Sequence, residues 1–319
     1  MQITFLGTSA GVPTRTRNVS AVALRLEQRG EVWLFDCGEG TQHQFLRTDL
    51  RTSQISRIFI THMHGDHVYG LMGLLATCGL SGQAQPIEVY GPSTLPEYVA
   101  ACSRLSRADF SERVMASAVQ EGVVYEDEEF IVSCRPLRHR VPSFGYRVTE
   151  KDRTGRFDAE RAAALGIPFG PLYGKLKRGE SVMLADGRHV NGAQLCAPPE
   201  KGRAFVYCTD TVYCDSSVAL ALGADVLIHE STFADEDVEL ARVSTHSTAT
   251  TAARVAREAG VGRLVLTHLS PRYMPGNPVG PEELLRQARE VFPETILAHD
   301  FLRLDLPRHR GEGVSGAVD

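Results

Sequence analysis

The sequence lacks a run of about 18 apolar residues, which a membrane-spanning helix requires, so an integral membrane protein is not expected. No basic segment followed by a long apolar stretch opens the chain, and a secretory signal peptide is therefore not indicated. The seven cysteines include no CxxC pair. Because their number is odd and they are scattered, reduced thiols are favoured over a disulfide framework. These absences predict a cytoplasmic protein.

The chain also lacks a strong excess of positive charge. Its formal net charge is −5, which excludes a uniformly basic nucleic-acid-binding surface but leaves room for a local basic patch. With 319 residues, 43% hydrophobic and 23% charged, the composition is typical of a globular protein with a sizeable core. The length allows one large domain or two ordinary ones.

Short β-type runs alternate with helical patterns in both halves of the chain. The predicted strands are 3–6, 21–26, 32–35, 57–61, 87–90, 204–208, 226–228 and 264–267. The predicted helices are 40–50, 93–105 with Ser93 as the N-cap, 247–259 and 282–291. Two similar halves of this kind predict an α/β sandwich, in which two sheets pack together and helices cover the outside.

The densest polar cluster is the HxHxDH motif, which directly follows the apolar run 58–60. Its four chemically active members are His62, His64, Asp66 and His67. Neutral imidazole nitrogens and carboxylate oxygens are preferred ligands of zinc and similar divalent ions. His62 and His64 alternate, so they can share one ion, while Asp66 and His67 turn toward another. The motif therefore predicts a metal site.

Further ligand candidates lie where predicted strands end, and these are His139, Asp210 and His268. Taken alone, a polar residue at a strand end is more often a cap or a turn former than a ligand. Because the first cluster cannot by itself fill the coordination of two ions, however, other ligands must come from elsewhere in the chain. The two oxygens of Asp210 can bridge both ions, and Asp36 is expected to orient a ligand histidine.

The segment 157–190 is unusually rich in glycine, proline and basic residues. It lies between two ligand candidates, His139 and Asp210, where a compact core would need only a short loop. We interpret it as an insertion that leaves the body of the domain.

Together, these residues carry a resemblance to a known superfamily. The set Asp36, HxHxDH, His139, Asp210 and His268 resembles the metallo-β-lactamase superfamily, whose fold is an αβ/βα four-layer sandwich. More specific sequence motifs resemble those of the ribonuclease Z family, which removes 3′ trailers from precursor tRNA. These motifs lie at 5–9, 13, 17–18, 35–42, 142–146, 229–232, 246–249 and 266–273. The resemblance extends from residue 2 to about residue 300. It implies a single metallo-β-lactamase-type domain over 1–319 with a flexible arm at 157–190.

The resemblance implies a site with two divalent metal ions, zinc in preference to manganese or magnesium. By position, the first ion corresponds to His62, His64 and His139. The second corresponds to Asp66, His67 and His268, and Asp210 bridges the two. A bridging hydroxide would attack the phosphorus after the discriminator nucleotide, giving a tRNA 3′-hydroxyl and a trailer with a 5′-phosphate.

Three catalytic roles follow from the same resemblance. Asp66 is expected to accept a proton from the attacking water. His246 is the candidate general acid for the leaving 3′-oxygen, and Glu230 would orient or charge it. For His246 the alternative is a neighbour of a helix N-cap, and for Glu230 it is a buried structural hydrogen bond.

The segment 157–190 corresponds to an arm that grips the tRNA elbow, and a homodimer is expected in which one subunit's arm can serve the other's site. Phosphate contacts of this kind give affinity but no base identity. The expected substrate-binding residues are Arg15, Arg17, Asn18, Gly170, Pro171, Lys175, Lys177, Arg178, Arg272 and Tyr273.

Two other functions fit the same ligands. A metallo-β-lactamase-type hydrolase of small esters or phosphodiesters would have no need of the basic insertion, since the fold does not set the substrate. A metal-stabilised RNA-binding protein without catalysis would not need a complete ligand set with an open position for water.

Overall fold

The structure, a computed structural model, describes residues 1–80, 86–108, 113–274 and 276–308. The chain forms two compact units. We call the first unit, Met1–Val148 with Ala204–Leu306, the body. We call the second unit the insert, which consists of Thr149–Arg203 and the described residues that follow Leu306.

Within the described residues there are sixteen strands and ten α-helices. The strands are β1 (Gln2–Gly7), β2 (Ala21–Leu26), β3 (Glu31–Phe35), β4 (Ile55–Phe59), β5 (Ile87–Gly91), β6 (Val114–Ala118), β7 (Gly122–Glu126), β8 (Phe130–Leu137), β9 (Ser143–Glu150), β10 (Ser181–Met183), β11 (His189–Asn191), β12 (Ala204–Cys208), β13 (Val226–Glu230), β14 (Arg263–Thr267), β15 (Thr295–Leu297) and β16 (Arg303–Asp305). The α-helices are α1 (Thr41–Phe45), α2 (Gly65–Val68), α3 (Leu71–Leu80), α4 (Leu95–Ser106), α5 (Ala159–Ala164), α6 (Pro171–Lys177), α7 (Asp215–Ala221), α8 (Val238–Ser244), α9 (Ala249–Ala259) and α10 (Pro281–Val291). None of these helices is long and apolar enough to cross a membrane.

The body is built on two sheets, each with seven described strands. In the first sheet the strand order is β16-β1-β2-β3-β4-β5-β6, and β3 through β6 pair in parallel. The second sheet has the order β15-β14-β13-β12-β9-β8-β7, and β12 through β15 pair in parallel. Parallel neighbours bring their carboxyl ends to one edge of a sheet, and this edge carries the site described below.

Alternation along the strands separates three apolar layers of the body. In β3, Trp33 and Phe35 face the core between the sheets, whereas Val32 and Leu34 face α3 and α4. In β13, Ile228 faces the same central core, and Leu227 faces the helices α7, α9 and α10. This order of helices, sheet, sheet and helices is the predicted four-layer sandwich.

The predicted strands of the first and last thirds of the chain are present within about two residues, but two helix predictions were wrong in part. The helix predicted at 40–50 ends at Phe45. Thr48 offers the backbone a competing partner, because its hydroxyl donates to Phe45 O and accepts from Leu50 N. Ser93 is not the N-cap of α4, whose cap is Thr94 with a proline in the first turn.

The insert has a small apolar core of its own. Its centre is formed by Tyr173 and Leu176 of α6, packed with Ala162, Ile167, Val182, Leu184 and Leu195. The hairpin of β10 and β11 covers this core. At the base, Arg203 donates to both oxygens of Glu150, at 2.6 and 3.1 Å, and both side chains are buried. The predicted segment 157–190 therefore lies within a longer folded unit, because its apolar residues pack between the turns that glycine and proline form.

Candidate metal centre

Loops that leave the strand ends of both sheets bring the predicted ligands together. The HxHxDH motif follows β4 and enters α2, so the first sheet supplies four of the ligands. The second sheet supplies the others, since His139 follows β8, Asp210 follows β12 and His268 follows β14. The ligand atoms of His62, His64, His139 and Asp210 lie within 4.8 Å of one another, and the same holds for Asp66, His67 and His268.

A left-handed backbone conformation turns several of these side chains into the cluster. Asp36, Asp210 and His268 have φ values of 56°, 48° and 59°. Asp36 and His268 come directly after the last residue of a strand, and Asp210 comes two residues after the end of β12. Residues other than glycine rarely adopt this region, at a cost of about 1–3 kcal/mol each. Thr245, which contacts His139, has φ 61°. The fold thus holds strained backbone at the positions whose side chains meet.

Asp210 lies between the two groups of ligands with one oxygen toward each. Its Oδ2 is 3.4 Å from His62 Nε2 and 3.9 Å from His139 Nε2. Its Oδ1 is 3.2 Å from both His67 Nε2 and His268 Nε2. The two oxygens of Asp210 therefore face different ligand groups, and its role as a bridge between two ions stays a prediction.

Partners outside the cluster fix the tautomers of the histidines. His67 Nδ1 donates to Asp36 Oδ2 at 2.7 Å, and His139 Nδ1 donates to Thr245 O at 2.9 Å. His268 Nδ1 donates to the Thr232 hydroxyl at 3.0 Å, because that hydroxyl gives its own proton to Glu230. In each ring Nδ1 is held by an acceptor outside the cluster, so Nε2 is the nitrogen that faces the cluster and is available to a metal ion.

The cluster brings histidine nitrogens and carboxylate oxygens close together, and a bound cation would stabilise this arrangement. His67 Nε2 and His268 Nε2 face each other at 3.2 Å, and His62 Nε2 lies 3.0 Å from His64 Nδ1. Buried Asp210 Oδ1 has no hydrogen-bond partner within the described part of the chain. Lone pairs at such distances repel one another, and a buried carboxylate oxygen without a partner is costly. Divalent cations with imidazole and carboxylate ligands fit these residues.

The electrostatics of the two groups differ. Burial would lower the pKa of His67, but the carboxylates of Asp210, Asp36 and Asp66 outweigh it and raise that pKa well above its usual value. Around His64, burial and the neighbouring His62 and His139 lower the pKa to about 4, so this imidazole is neutral at neutral pH. The carboxylate-rich side therefore attracts positive charge, whether from a proton or a metal ion, and the His64 side offers a ready lone pair.

Asp36 holds the centre from below and is fully buried. Besides His67, it accepts hydrogen bonds from Thr61 N at 2.8 Å and from the Tyr207 hydroxyl at 3.1 Å. These contacts place it in the orienting position that the sequence predicts.

His246 and Glu230 form a pair at the edge of the cluster. His246 Nδ1 donates to Glu230 Oε1 at 2.9 Å, and His246 Nε2 lies 4.0 Å from Asp210 Oδ2. Burial would lower the pKa of His246, but Glu230 raises it to about 9. Glu230 is fully buried and also accepts from Thr211 N and Ser247 N, at 2.7 and 3.0 Å. Because His246 lies close to Asp210 and His268, it could also serve as a ligand.

Above the cluster opens a cavity of about 540 Å³. Asp66, His246 and His268 line its floor, and Gly11 to Pro13 of the first loop line one wall. Gly11 N donates to Asp66 Oδ2 at 2.8 Å, which fixes this wall to the metal-ligand motif. A substrate can therefore reach the ligand atoms from solvent.

The structure corrects two of the expected substrate contacts. Arg17 is buried, and its guanidinium donates to Thr8 Oγ1 at 2.8 Å and to Ala298 O at 2.6 Å. Tyr273 is buried too, and its hydroxyl bonds to Asp237 and to Ala234 N. Both side chains make hydrogen bonds within the body that anchor the loops carrying them, so neither is available to a substrate.

The remaining first-loop candidates have mixed surroundings. Arg15 is exposed and has no hydrogen bond or ion pair to any described residue. Asn18 donates from its amide to Glu39 O at 2.8 Å, and Arg272 lies 3.4 Å from Asp237. Of these three side chains, Arg15 is the one that is free to bind a substrate.

In the insert, Lys175 and Lys177 are exposed on α6. Arg178 is also exposed but pairs with Glu180 at 2.6 Å. Gly170 and Pro171 are the N-cap and first residue of α6, so they start a helix. Neither lysine has an acidic partner among the described residues, and Lys177 Nζ lies 5.9 Å from the centre of the Phe157 ring.

Sequence reasoning missed the threonines that hold the histidines. Thr232 contacts Glu230, His246 and His268 with one hydroxyl, and Thr245 accepts from His139 through its carbonyl. A threonine next to a catalytic motif is only a weak indication of such a contact, since threonine is common at turns. Their roles depend on side-chain directions that no sequence spacing gives.

Fold and site together define a member of the metallo-β-lactamase superfamily. Residues 191–269 match the family described as Beta-lactamase superfamily domain, and residues 1–117 match the one described as Anti-Pycsar protein Apyc1. The metallo-β-lactamase fold protein YhfI from Bacillus subtilis shares the fold, with TM-score 0.66 over 95% of this chain and 98% of that one, at 18% identity.

The chain belongs to the ribonuclease Z family. It is 62% identical to ribonuclease Z of Gloeothece citriformis over 98% of both chains, and 64% identical to that of a Cyanothece species over 97% of both. The crystal structure of the short form of human tRNase Z matches with TM-score 0.69 and 33% identity, over 96% of this chain and all of that one. The resemblance drawn from the sequence words is thereby confirmed.

Proposed function

We propose that this protein is a metal-dependent endoribonuclease that removes 3′ trailers from precursor tRNA and leaves a tRNA 3′-hydroxyl and a 5′-phosphorylated trailer. The observation that carries the proposal is identity above 60% with ribonucleases Z over nearly the full length of both chains. The site geometry by itself supports hydrolysis but does not select a substrate. A hydrolase restricted to small phosphodiesters or esters is not favoured, because it would not explain this similarity.

The residues that would hold two divalent ions are His62, His64 and His139 on one side and Asp66, His67 and His268 on the other, with Asp210 between them. Bound there, the ions would acidify a water and neutralise charge on the attacking and leaving oxygens. We propose zinc as the metal, since borderline ions prefer this donor set, with manganese or magnesium as alternatives.

The chain's own residues supply the proton transfers. Asp66 lines the cavity, and we propose that it accepts a proton from the attacking water. His246 is placed to give a proton to the leaving 3′-oxygen from Nε2, because its Nδ1 is held by Glu230. Glu230 stabilises the charged imidazolium, and its pKa is lowered to about 2, since His246 outweighs the effect of burial. General acid catalysis of this kind typically contributes about 10²–10⁴-fold.

Substrate binding would use exposed cations outside the centre. Arg15 on the first loop is proposed to contact the acceptor end, and Lys175 and Lys177 of the insert are proposed to contact tRNA phosphates. Such contacts add affinity without reading sequence. From the family resemblance we also propose that the protein forms a homodimer and is located in the cytoplasm.

The test is cleavage of a 3′-extended precursor tRNA, with both product ends mapped. The expected products are a mature-length tRNA with a 3′-hydroxyl and a trailer with a 5′-phosphate, and cleavage should stop after chelation and resume when zinc or manganese is added. Binding of the precursor without cleavage under zinc, manganese and magnesium would contradict the proposal and favour a non-catalytic RNA-binding protein.

A further inference from the structure

One side of the cavity above the metal centre has an apolar rim that the proposed reaction does not use. Val12 of the first loop is 56% exposed, and Tyr69, one turn after Asp66, is 67% exposed. Both line the cavity together with the ligand atoms. Large apolar side chains so exposed at the mouth of a polar site suggest a surface for an apolar part of the substrate.

The Tyr69 ring is held in place by the glycine of the metal-ligand motif. The Tyr69 amide donates to Gly65 O at 2.9 Å, which closes the turn of α2. A Cβ built at Gly65 would lie 2.1 Å from Tyr69 Cε2, so the ring rests directly against the Gly65 backbone. This contact restricts the orientation of the ring, while its 67% exposure leaves most of the ring open to solvent.

Val12, on the same apolar rim, is held by a tight turn. Ser9 Oγ donates to Val12 O at 2.7 Å, and Val12 N donates to Ala10 O at 2.8 Å. Because Gly11 N also donates to Asp66 Oδ2, the turn is tied to the helix that carries Tyr69. The two apolar side chains are thus both anchored to the metal-ligand motif and flank the way into the site.

A cation completes this side of the cavity. Arg140 lines the same cavity, is exposed, and has no hydrogen bond or ion pair to any described residue. Proteins that bind single-stranded nucleic acids combine an aromatic ring, which stacks on a base, with a cation that contacts a phosphate, and this cavity is lined by both.

We propose that Tyr69 and Val12 form a nucleobase cleft in which the base of a nucleotide flanking the scissile phosphate stacks on the Tyr69 ring, with Arg140 on a neighbouring phosphate. The cleft would hold the acceptor end in register with the metal centre by stacking, which every base can do, so it would favour no sequence. This inference rests on the proposed function and adds a positioning subsite to it.

The test combines a protein change with a substrate change. Tyr69→Ala is compared with Tyr69→Phe, which keeps the ring, and both are assayed on precursor tRNA with a normal or an abasic nucleotide on either side of the scissile bond. Because Tyr69 is largely exposed, both variants should fold. On the normal substrate, Tyr69→Ala should lower kcat/KM about 5- to 150-fold, and Tyr69→Phe should stay within about twofold of the parent.

The decisive measurement is the coupling between the two changes. If the cleft binds the base, an abasic nucleotide at one of the two flanking positions should lower kcat/KM of the parent by a similar factor. The same abasic substrate should lower kcat/KM of Tyr69→Ala little further, because that variant has already lost the stacking contact. Additive losses at both positions would overturn the proposal. So would a loss of bound metal from Tyr69→Ala, because the effect would then arise from α2 and not from stacking.

The two hypotheses fail in different ways. If the parent protein does not cleave the normal precursor, the proposed function is wrong. If the parent cleaves it and Tyr69→Ala cleaves it equally well, the function stands and the nucleobase cleft is wrong.

Discussion

The body and the insert use charge in opposite ways. In the body, Asp36 and Glu230 are fully buried, and hydrogen bonds from their neighbours hold them in fixed positions. In the insert, Lys175 and Lys177 lie on the surface of a small apolar core, where water screens them. Buried charges with satisfied partners fix geometry, which chemistry requires, whereas exposed cations give affinity that depends on salt. The buried groups of the body should therefore control kcat and metal content, whereas the lysines of the insert should act on KM for tRNA.

The largest effect should come from the bridging carboxylate. Asp210→Asn removes the charge that faces both ligand groups, so activity on precursor tRNA and on bis(p-nitrophenyl) phosphate should both fall at least about 10⁴-fold, since each metal contribution is worth several kcal/mol. Metal per chain, measured by mass spectrometry, should fall as well. Asp215→Asn, an exposed change five residues away, is the control and should retain both activities. Full activity of Asp210→Asn would show that this buried charge of the body does not control catalysis.

His246→Ala should separate two kinds of loss within the body. The kcat for precursor tRNA should fall about 10²–10⁴-fold with little change in KM, because the 3′-oxygen leaves poorly without a proton. Hydrolysis of bis(p-nitrophenyl) phosphate should fall much less, since nitrophenolate leaves without protonation. The exposed His43→Ala serves as the control. Equal losses on both substrates, together with loss of metal, would instead make His246 a ligand.

Asp36→Asn should act through His67. The variant removes the negative charge that holds His67 Nδ1–H, and such changes typically cost about 10–100-fold in metal affinity. Competition with a chelator measures that affinity, and activity should return when metal is in excess. The exposed Asp49→Asn should show no change. If excess metal does not restore activity, Asp36 has a role beyond orienting His67.

The smallest effect is expected in the insert. Lys175→Ala combined with Lys177→Ala should raise KM for precursor tRNA about 3- to 10-fold at low salt, leave kcat unchanged, and reduce the salt dependence of binding by about one unit of slope per lost phosphate contact. Neither change should affect bis(p-nitrophenyl) phosphate. Arg188→Ala, whose guanidinium already pairs with Asp186, is the matched control in the same unit. A fall in kcat would contradict the division of labour between the two units.

Much of the body could be predicted from the sequence because its strands are short apolar runs and its ligands follow them. His62 to His67 stand together in the chain, so the spacing of the HxHxDH motif revealed them. Asp210 and His268 were found by position after strands, but their left-handed backbone was not, because no residue type announces it. Arg17 shows the limit most clearly, since an arginine that ties down a loop and one that binds a phosphate look alike in sequence.

The insert was harder to predict for a physical reason. Its glycines and prolines indicate loops, and that signal hides the spacing of Ala162, Tyr173, Leu176 and Leu195, which pack only after the chain has turned. The bounds of the unit were also missed. They depend on the Glu150–Arg203 pair, whose members are more than fifty residues apart in the chain.

The positive φ angles at Asp36, Asp210 and His268 lower stability at positions that the proposed activity requires. Selection for thermal stability and selection for catalytic turnover should therefore favour different residues there. Glycine would relieve the left-handed strain at each position, but at Asp36 it would leave the buried donors of His67, Thr61 and Tyr207 without their acceptor. A screen that rewards only heat resistance should therefore tolerate glycine at Asp210, whose buried Oδ1 lacks a hydrogen-bond partner among the described residues, more readily than at Asp36, and the Asp210 variants that it returns should cut nothing.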